Sequence, residues 1–239
     1  TLEFRTLHQR ALRILSFTDT SDHAEPGEAE EAGALNALSD LEIVSLGHDL
    51  AAGQLADWLE AGLPADGDDG TRPLGVDVVG VLRPVEGDAV LVSLSDGSRV
   101  VVIDLAEILP GDEAVLARLL SDVERPKLVA DAKGSWHALS ARGLTLDGVV
   151  ADPSLAGYLC RPEQRSYDVD TLTQRWLGID LASVNENGAR GDGGPGDSQS
   201  AFDLEALTSE AVPASHLASA RRAAALLPLQ AVLDEQMAA

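Results

Sequence analysis

The chain has 239 residues, with 40 acidic against 17 basic side chains, a net charge of −23, and 45% hydrophobic but only 3% aromatic residues. That length buries one sizeable core with an appendage. No run nears the roughly eighteen apolar residues of a membrane span and Thr1 starts no basic, apolar leader, so the expectation is a cytoplasmic protein with no membrane partner. A surface of this sign repels nucleic-acid phosphates, and a single cysteine, Cys160, allows no internal disulfide.

In chain order, Phe4, Leu7, Ala11, Ile14 and Leu15 share one helical face, which predicts an amphipathic helix over 2–16. Residues 18–36 have the composition of a linker. Leu41 to Leu46 reads as a strand and Asp49 to Ala61, with Leu55, Trp58 and Leu59, as a short helix. A Gly- and Asp-rich turn then leads to Arg72, so the expected organisation is an N-terminal appendage over 1–71 and a main domain over 72–239. Pro73 to Leu82, Ala89 to Leu94 and Arg99 to Ile103 are three apolar strands; a two-residue turn at Asp96-Gly97 joins the last two, and an antiparallel meander follows. A helix through Ile108 and Val115 to Leu120 returns the chain to Lys127 for a parallel addition to the sheet.

From Lys127 the signals are dense. Lys127 to Ala130 is a buried strand; Asp131 caps a helix that ends at Arg142-Gly143; Gly148 to Ala151 is a second short strand. Asp152-Pro153 opens the next helix, with Leu155, Tyr158 and Leu159 expected as its inner face. Asp168 or Asp170 caps a helix through Val169, Leu172, Trp176 and Leu177, and Gly178 stops it. Asn185 to Ser200 holds almost no apolar residue, and an Ala- and Leu-rich helix runs from Val212, with a kink or stop expected near Pro228. The fold class is α/β, a mixed sheet flanked by helices.

Leu128-Val-Ala-Asp-Ala-Lys133, the Leu-Ser-Ala-Arg-Gly143 helix end, the Asp152 opening and Ser166-Tyr-Asp-Val-Asp-Thr-Leu172 leading to Arg175-Trp-Leu177 resemble the 3′ to 5′ exonuclease domain of bacterial DNA polymerase I, of the high-GC actinobacterial type. The resemblance implies a ribonuclease H-like exonuclease fold. It also implies that residues 1–71 link to a preceding 5′-nuclease domain, since Leu2-Glu-Phe-Arg5 is similar to the segment by which such polymerases leave it.

Active members hold two divalent ions with carboxylates that activate water for phosphodiester hydrolysis. Carried onto this chain, the family's Asp-x-Glu strand reads Asp77-Val78-Val79, the next carboxylate, early in the helix after the Lys127 strand, aligns with Ser135, and the Tyr-x-x-x-Asp pattern reads His216 to Ala220. One carboxylate of four remains. Asp131 and Asp152 serve as caps and Asp147 as a turn residue; His8, His23, His48, His137 and His216 are scattered and suggest no zinc site. Gly193-Gly-Pro-Gly196 lacks the Gly-Lys-Ser/Thr of a phosphate loop.

The resemblance therefore implies a catalytically silent exonuclease-like domain of a DNA polymerase I, a structural spacer in replication and repair that binds no cofactor itself. Mg²⁺ belongs to active members and to the parent polymerase domain. The partners are the covalently linked polymerase and 5′-nuclease domains, through which it meets DNA. Two other readings stay open: a working metal-dependent exonuclease with relocated ligands, and an acidic protein-interaction module.

Overall fold

A computed structural model describes residues 42–46, 53–61, 72–182 and 213–238. The helix expected at 2–16, the linker at 18–36 and the polar stretch at 185–200 lie outside the described residues. The elements are β1 (Glu42–Leu46), α1 (Gln54–Ala61), β2 (Leu74–Val81), β3 (Asp88–Ser95), β4 (Arg99–Asp104), α2 (Pro110–Ser121), β5 (Lys127–Val129), α3 (Ala132–Ala141), β6 (Val149–Ala151), α4 (Pro153–Cys160), α5 (Val169–Leu177) and α6 (Ala214–Ala238). The strands form one six-stranded sheet in the order β1-β4-β3-β2-β5-β6.

Strands β2, β3 and β4 make the expected antiparallel meander. The β3–β4 turn sits one residue beyond the expected place. Asp96 pairs with Arg99 through Asp96 N–H to Arg99 O, so Gly97 and Ser98 form its centre, with Gly97 at φ +101°. The Asp96 side chain accepts the Ser98 and Arg99 amides, and this holds the turn. Strand β5 extends β2 in parallel, β6 extends β5 in parallel, and β1 pairs in parallel with β4.

The fold thus includes residues on both sides of the boundary expected at 71 and 72. Asp112, buried at the start of α2, accepts the amides of Gly53 and Leu55 and so caps α1 from across 57 residues. Arg99 lies over the Trp58 ring at 5.1 Å. Residues 53–61 are part of the main core.

Alternation along β2 sorts the two layers. Leu74, Val76 and Val78 enter a core with Leu55, Trp58, Leu116, Leu120, Ala138 and Leu139. On the other face α6 lies along β2, β3, β4 and β5, with α4 and α5 packed on it around Ala220, Ala223, Leu226 and Leu172. Helix α6 continues through Pro228 to Ala238, against the expected stop. Gly75 permits its close seat: a Cβ there would stand 2.2 Å from the Ala223 carbonyl oxygen.

The caps are as expected at Asp131, Asp152, Asp168 and Gly178. Asp152 also accepts the amides of Asp131 and Ala132, so one carboxylate ties the starts of α3 and α4 together. The inner face of α4 is a correction. Leu155, Tyr158 and Leu159 are exposed, and the helix buries Pro153, Ala156 and Gly157 instead. A Cβ at Gly157 would come within 2.7 Å of a Leu172 methyl, so α4 sits on α5 at a distance that only small residues allow. Lys127 is fully buried, and its ammonium donates to three carbonyl oxygens, of Asp122, Arg125 and Asp147. No helix among the described residues is long and apolar enough to cross a membrane.

Two alanine substitutions test the seat of α6. Gly75→Ala must displace backbone and is expected to cost about 3 kcal/mol in denaturant unfolding. Gly111→Ala, in α2 with open space around the new methyl, should be neutral or stabilising by up to about 1 kcal/mol. Equal effects of the two would show that α6 is not held this close.

Candidate functional site

Asp77 stands mid-strand on β2, its side chain turned to the face that α6 covers. Its direct partner across the meander is Ser93 of β3. From α6, Ser219 donates its hydroxyl to Asp77 Oδ2 at 2.7 Å. The Ser93 and Ser219 oxygens are also 2.7 Å apart, and since Ser219 has spent its one proton on Asp77, Ser93 is the donor between them. One helical turn after Ser219, Arg222 reaches the same carboxylate: Nε lies 3.2 Å from Oδ1, and Nη2 lies 3.2 Å from Oδ2. A second acid, Asp170 of α5, stands 4.0 Å from Arg222 Nη1.

The electrostatics follow from burial. With its side chain only 10% exposed, Asp77 has its carboxyl pushed above its ordinary value of 3.8 by loss of water, and Arg222 and Ser219 pull it back only in part. For Arg222 burial opposes the charge, yet Asp77 beside it, together with Asp170 and Asp168, offsets that and raises the guanidinium's pKa. The arrangement is an acid whose neutralising cation is a side chain.

The other sequence-predicted positions do not join this network. Val79 follows Asp77 on the same side of β2 by strand alternation and is half-buried. Ala220 is fully buried in the layer between α6 and helices α4 and α5. Ser135 is buried, and its hydroxyl donates to the Ala130 carbonyl at the start of its own helix. His216, one turn before Ala220, is half-buried, with Nδ1 enclosed and without a hydrogen-bond partner. Among the described residues no three of His, Cys, Asp and Glu converge as a metal-binding group. Sequence reasoning missed Ser93, Ser219 and Arg222. The signal available was Asp77 itself, since a lone acid on a buried strand demands a cation, and Arg221 and Arg222 are the arginines on the helix that covers it.

The family model of the DNA polymerase I ribonuclease H-like domain matches residues 84–186. DNA polymerase I of Mycobacterium bovis is 37% identical over 182 residues, which are 75% of this chain and 18% of that protein. A solved structure from M. smegmatis, the POL domain of Pol1 in complex with DNA primer-template and dNTP, superposes with a TM-score of 0.60 at 30% identity over 82% of this chain and 27% of that one. The chain belongs to the DNA polymerase I ribonuclease H-like family. It spans less than a fifth of the curated relative's length. Trypanosoma brucei RNase D, solved with RNA U12, shares the fold at a TM-score of 0.56 and 16% identity, over 85% of this chain and 66% of that one.

Within this fold, the strand acid Asp77 and helix α6 meet face to face. The meeting is made by Ser219 and Arg222, with Ala220 turned into the core.

Arg222→Met tests the pair. Because the folded-state pKa of Asp77 lies above 3.8, its contribution to stability is present below that pH and lost as pH rises through the folded value. Removing the cation raises that value further, so the cost of Arg222→Met should grow from pH about 4 toward neutrality, reaching about 3–5 kcal/mol. Adding Asp77→Asn should abolish the growth; a cost that is flat with pH would refute the pairing.

Proposed function

We propose that this is a catalytically silent 3′ to 5′ exonuclease-like domain, serving as a structural spacer between the 5′-nuclease and polymerase parts of a DNA polymerase I. The observation that carries the reading is the Asp77–Arg222 pair. Two-ion hydrolysis requires carboxylates converging on the ions, because hard divalent cations take oxygen ligands and each missing donor returns to water. Here the donors do not fit such a centre. Val79 and Ala220 supply no oxygen, Ser135 directs its hydroxyl to a backbone carbonyl, and Asp77 faces a guanidinium whose charge would repel a second cation. The Ser219 hydroxyl does stand beside the Asp77 carboxylate, but Ser219 is fully buried and meets no substrate there.

The reading also agrees with charge. A domain of net charge −23 gains little from counterion release on DNA, so DNA contact falls to the covalently linked parts. Burial pushes the thiol pKa of Cys160 up, which lowers its thiolate fraction.

Two measurements test the proposal on the unmodified chain. With a 3′-labelled single-stranded oligonucleotide and Mg²⁺ or Mn²⁺, no chelator-sensitive trimming is expected. At millimolar Mn²⁺ the melting temperature should stay within about 1 °C, whereas a micromolar site would add roughly 4 kcal/mol and several degrees. Restoring the acids as Val79→Glu, Ser135→Asp and Ala220→Asp together with Arg222→Met should destabilise the metal-free protein by several kcal/mol, and Mn²⁺ should recover part of the loss. Trimming by the unmodified chain, or its strong stabilisation by Mn²⁺, would establish relocated ligands and overturn the silent reading.

A further inference from the structure

Helix α4 carries Leu155, Tyr158 and Leu159 at i, i+3 and i+4, exposed by 57%, 48% and 62%. The edge strand that leads into it adds Val150, exposed by 61%. Single exposed leucines are ordinary, but these side chains together present apolar surface on the order of a few hundred Å², the range in which patches mark contacts. The helix contains no charged residue at all, in a chain of 57 charged side chains.

The patch is built in and does not reflect a helix turned the wrong way. Gly157 against Leu172 and the Asp152 cap fix the roll of α4, and its inner side has room only for small side chains. Tyr158 is held edge-on by Tyr167 at a ring separation of 5.5 Å, and the Tyr167 hydroxyl is itself tied to the Arg161 carbonyl and the Gln164 amide. The sequence around the helix is also distinct in charge: residues 118–175 hold eight basic and eight acidic side chains, so the whole net charge of −23 lies in the rest of the chain.

We propose that this face of α4 docks the polymerase part of the polypeptide to which the chain belongs. The inference rests on the reading of the chain as one domain of a DNA polymerase I. Size selects an occupant in cis. A diffusing partner needs an interface of about 1,000 Å² or more, whereas a covalently linked one starts from an effective concentration of about millimolar and is held by a smaller patch. The curated relative has more than four-fifths of its length outside the matched region, so the homologous polypeptide supplies such a neighbour. A second copy is disfavoured because two chains of net charge −23 repel each other. The contact is apolar and free of charge on this side, so salt should not loosen it.

The test compares hydrogen exchange of α4 in the isolated chain and in the parent polymerase polypeptide. Protection at least about tenfold greater in the parent, unchanged when salt rises from about 0.1 to about 1 M, is expected. Leu155→Ser with Leu159→Ser should leave the isolated chain's melting temperature within about 2 °C and erase the added protection in the parent. Equal protection of the unmodified helix in both forms would overturn the proposal without recourse to any variant. Protection that grows with concentration of the isolated chain, alongside a doubled mass, would overturn it in favour of a second copy. Metal-dependent trimming of a 3′ end by the isolated chain would defeat the silent reading while leaving the exchange result to decide the docking.

Discussion

The described part of the molecule is arranged around one carboxylate that is largely withdrawn from water. Asp77 lies on β2, one of the two central strands of the sheet, beneath the longest described helix, and its charge is balanced by Arg222 from that helix. A buried ion pair is no sure source of stability, since desolvating both partners costs nearly as much as their attraction returns. Its consequence is conditional: with Asp77 in place, α6 must present Ser219 and Arg222 at one rotation and one height along β2. The pair therefore sets the register of α6 on the sheet, and the seat at Gly75 sets its distance.

Similar compensation recurs at three other enclosed or capping side chains. Lys127 replaces solvent with three backbone carbonyls, Asp112 with two amides of α1, and Asp152 with amides from two helix starts. Each of these groups joins segments that are distant in the chain, so polar satisfaction and topology are the same constraint here. The apolar layers on the two faces of the sheet then need little aromatic volume, because Ala, Val and Leu fill the short distances that the glycines permit.

These features bear on function through what they remove. The family's hydrolytic chemistry draws on acids that repel one another and are reconciled by metal. In this chain the strand acid Asp77 is reconciled by a side chain instead, the guanidinium of Arg222. The uncharged outer face of α4 is the surface most at odds with the rest of this acidic chain.

Much of the architecture was legible in the residues. Caps at Asp131, Asp152 and Asp168, the stop at Gly178, the meander and the parallel strands at Lys127 and Val149 all rest on interactions within a few residues or on simple periodicity, which a sequence displays directly. The likeness to polymerase exonuclease domains was equally plain. What only the tertiary structure decided were the choices that depend on distant neighbours. Arg222 finds Asp77 across 145 residues, and no local pattern names that partner. Helix α4 turns its larger apolar stripe outward because Leu172 leaves room only for Gly157 and Ala156, and a periodicity that weighs apolar size alone must choose the other side. The joining of residues 42–46 and 53–61 to the core is of the same kind: β4 offers a free edge and Asp112 a cap, and neither is visible from the segments that use them.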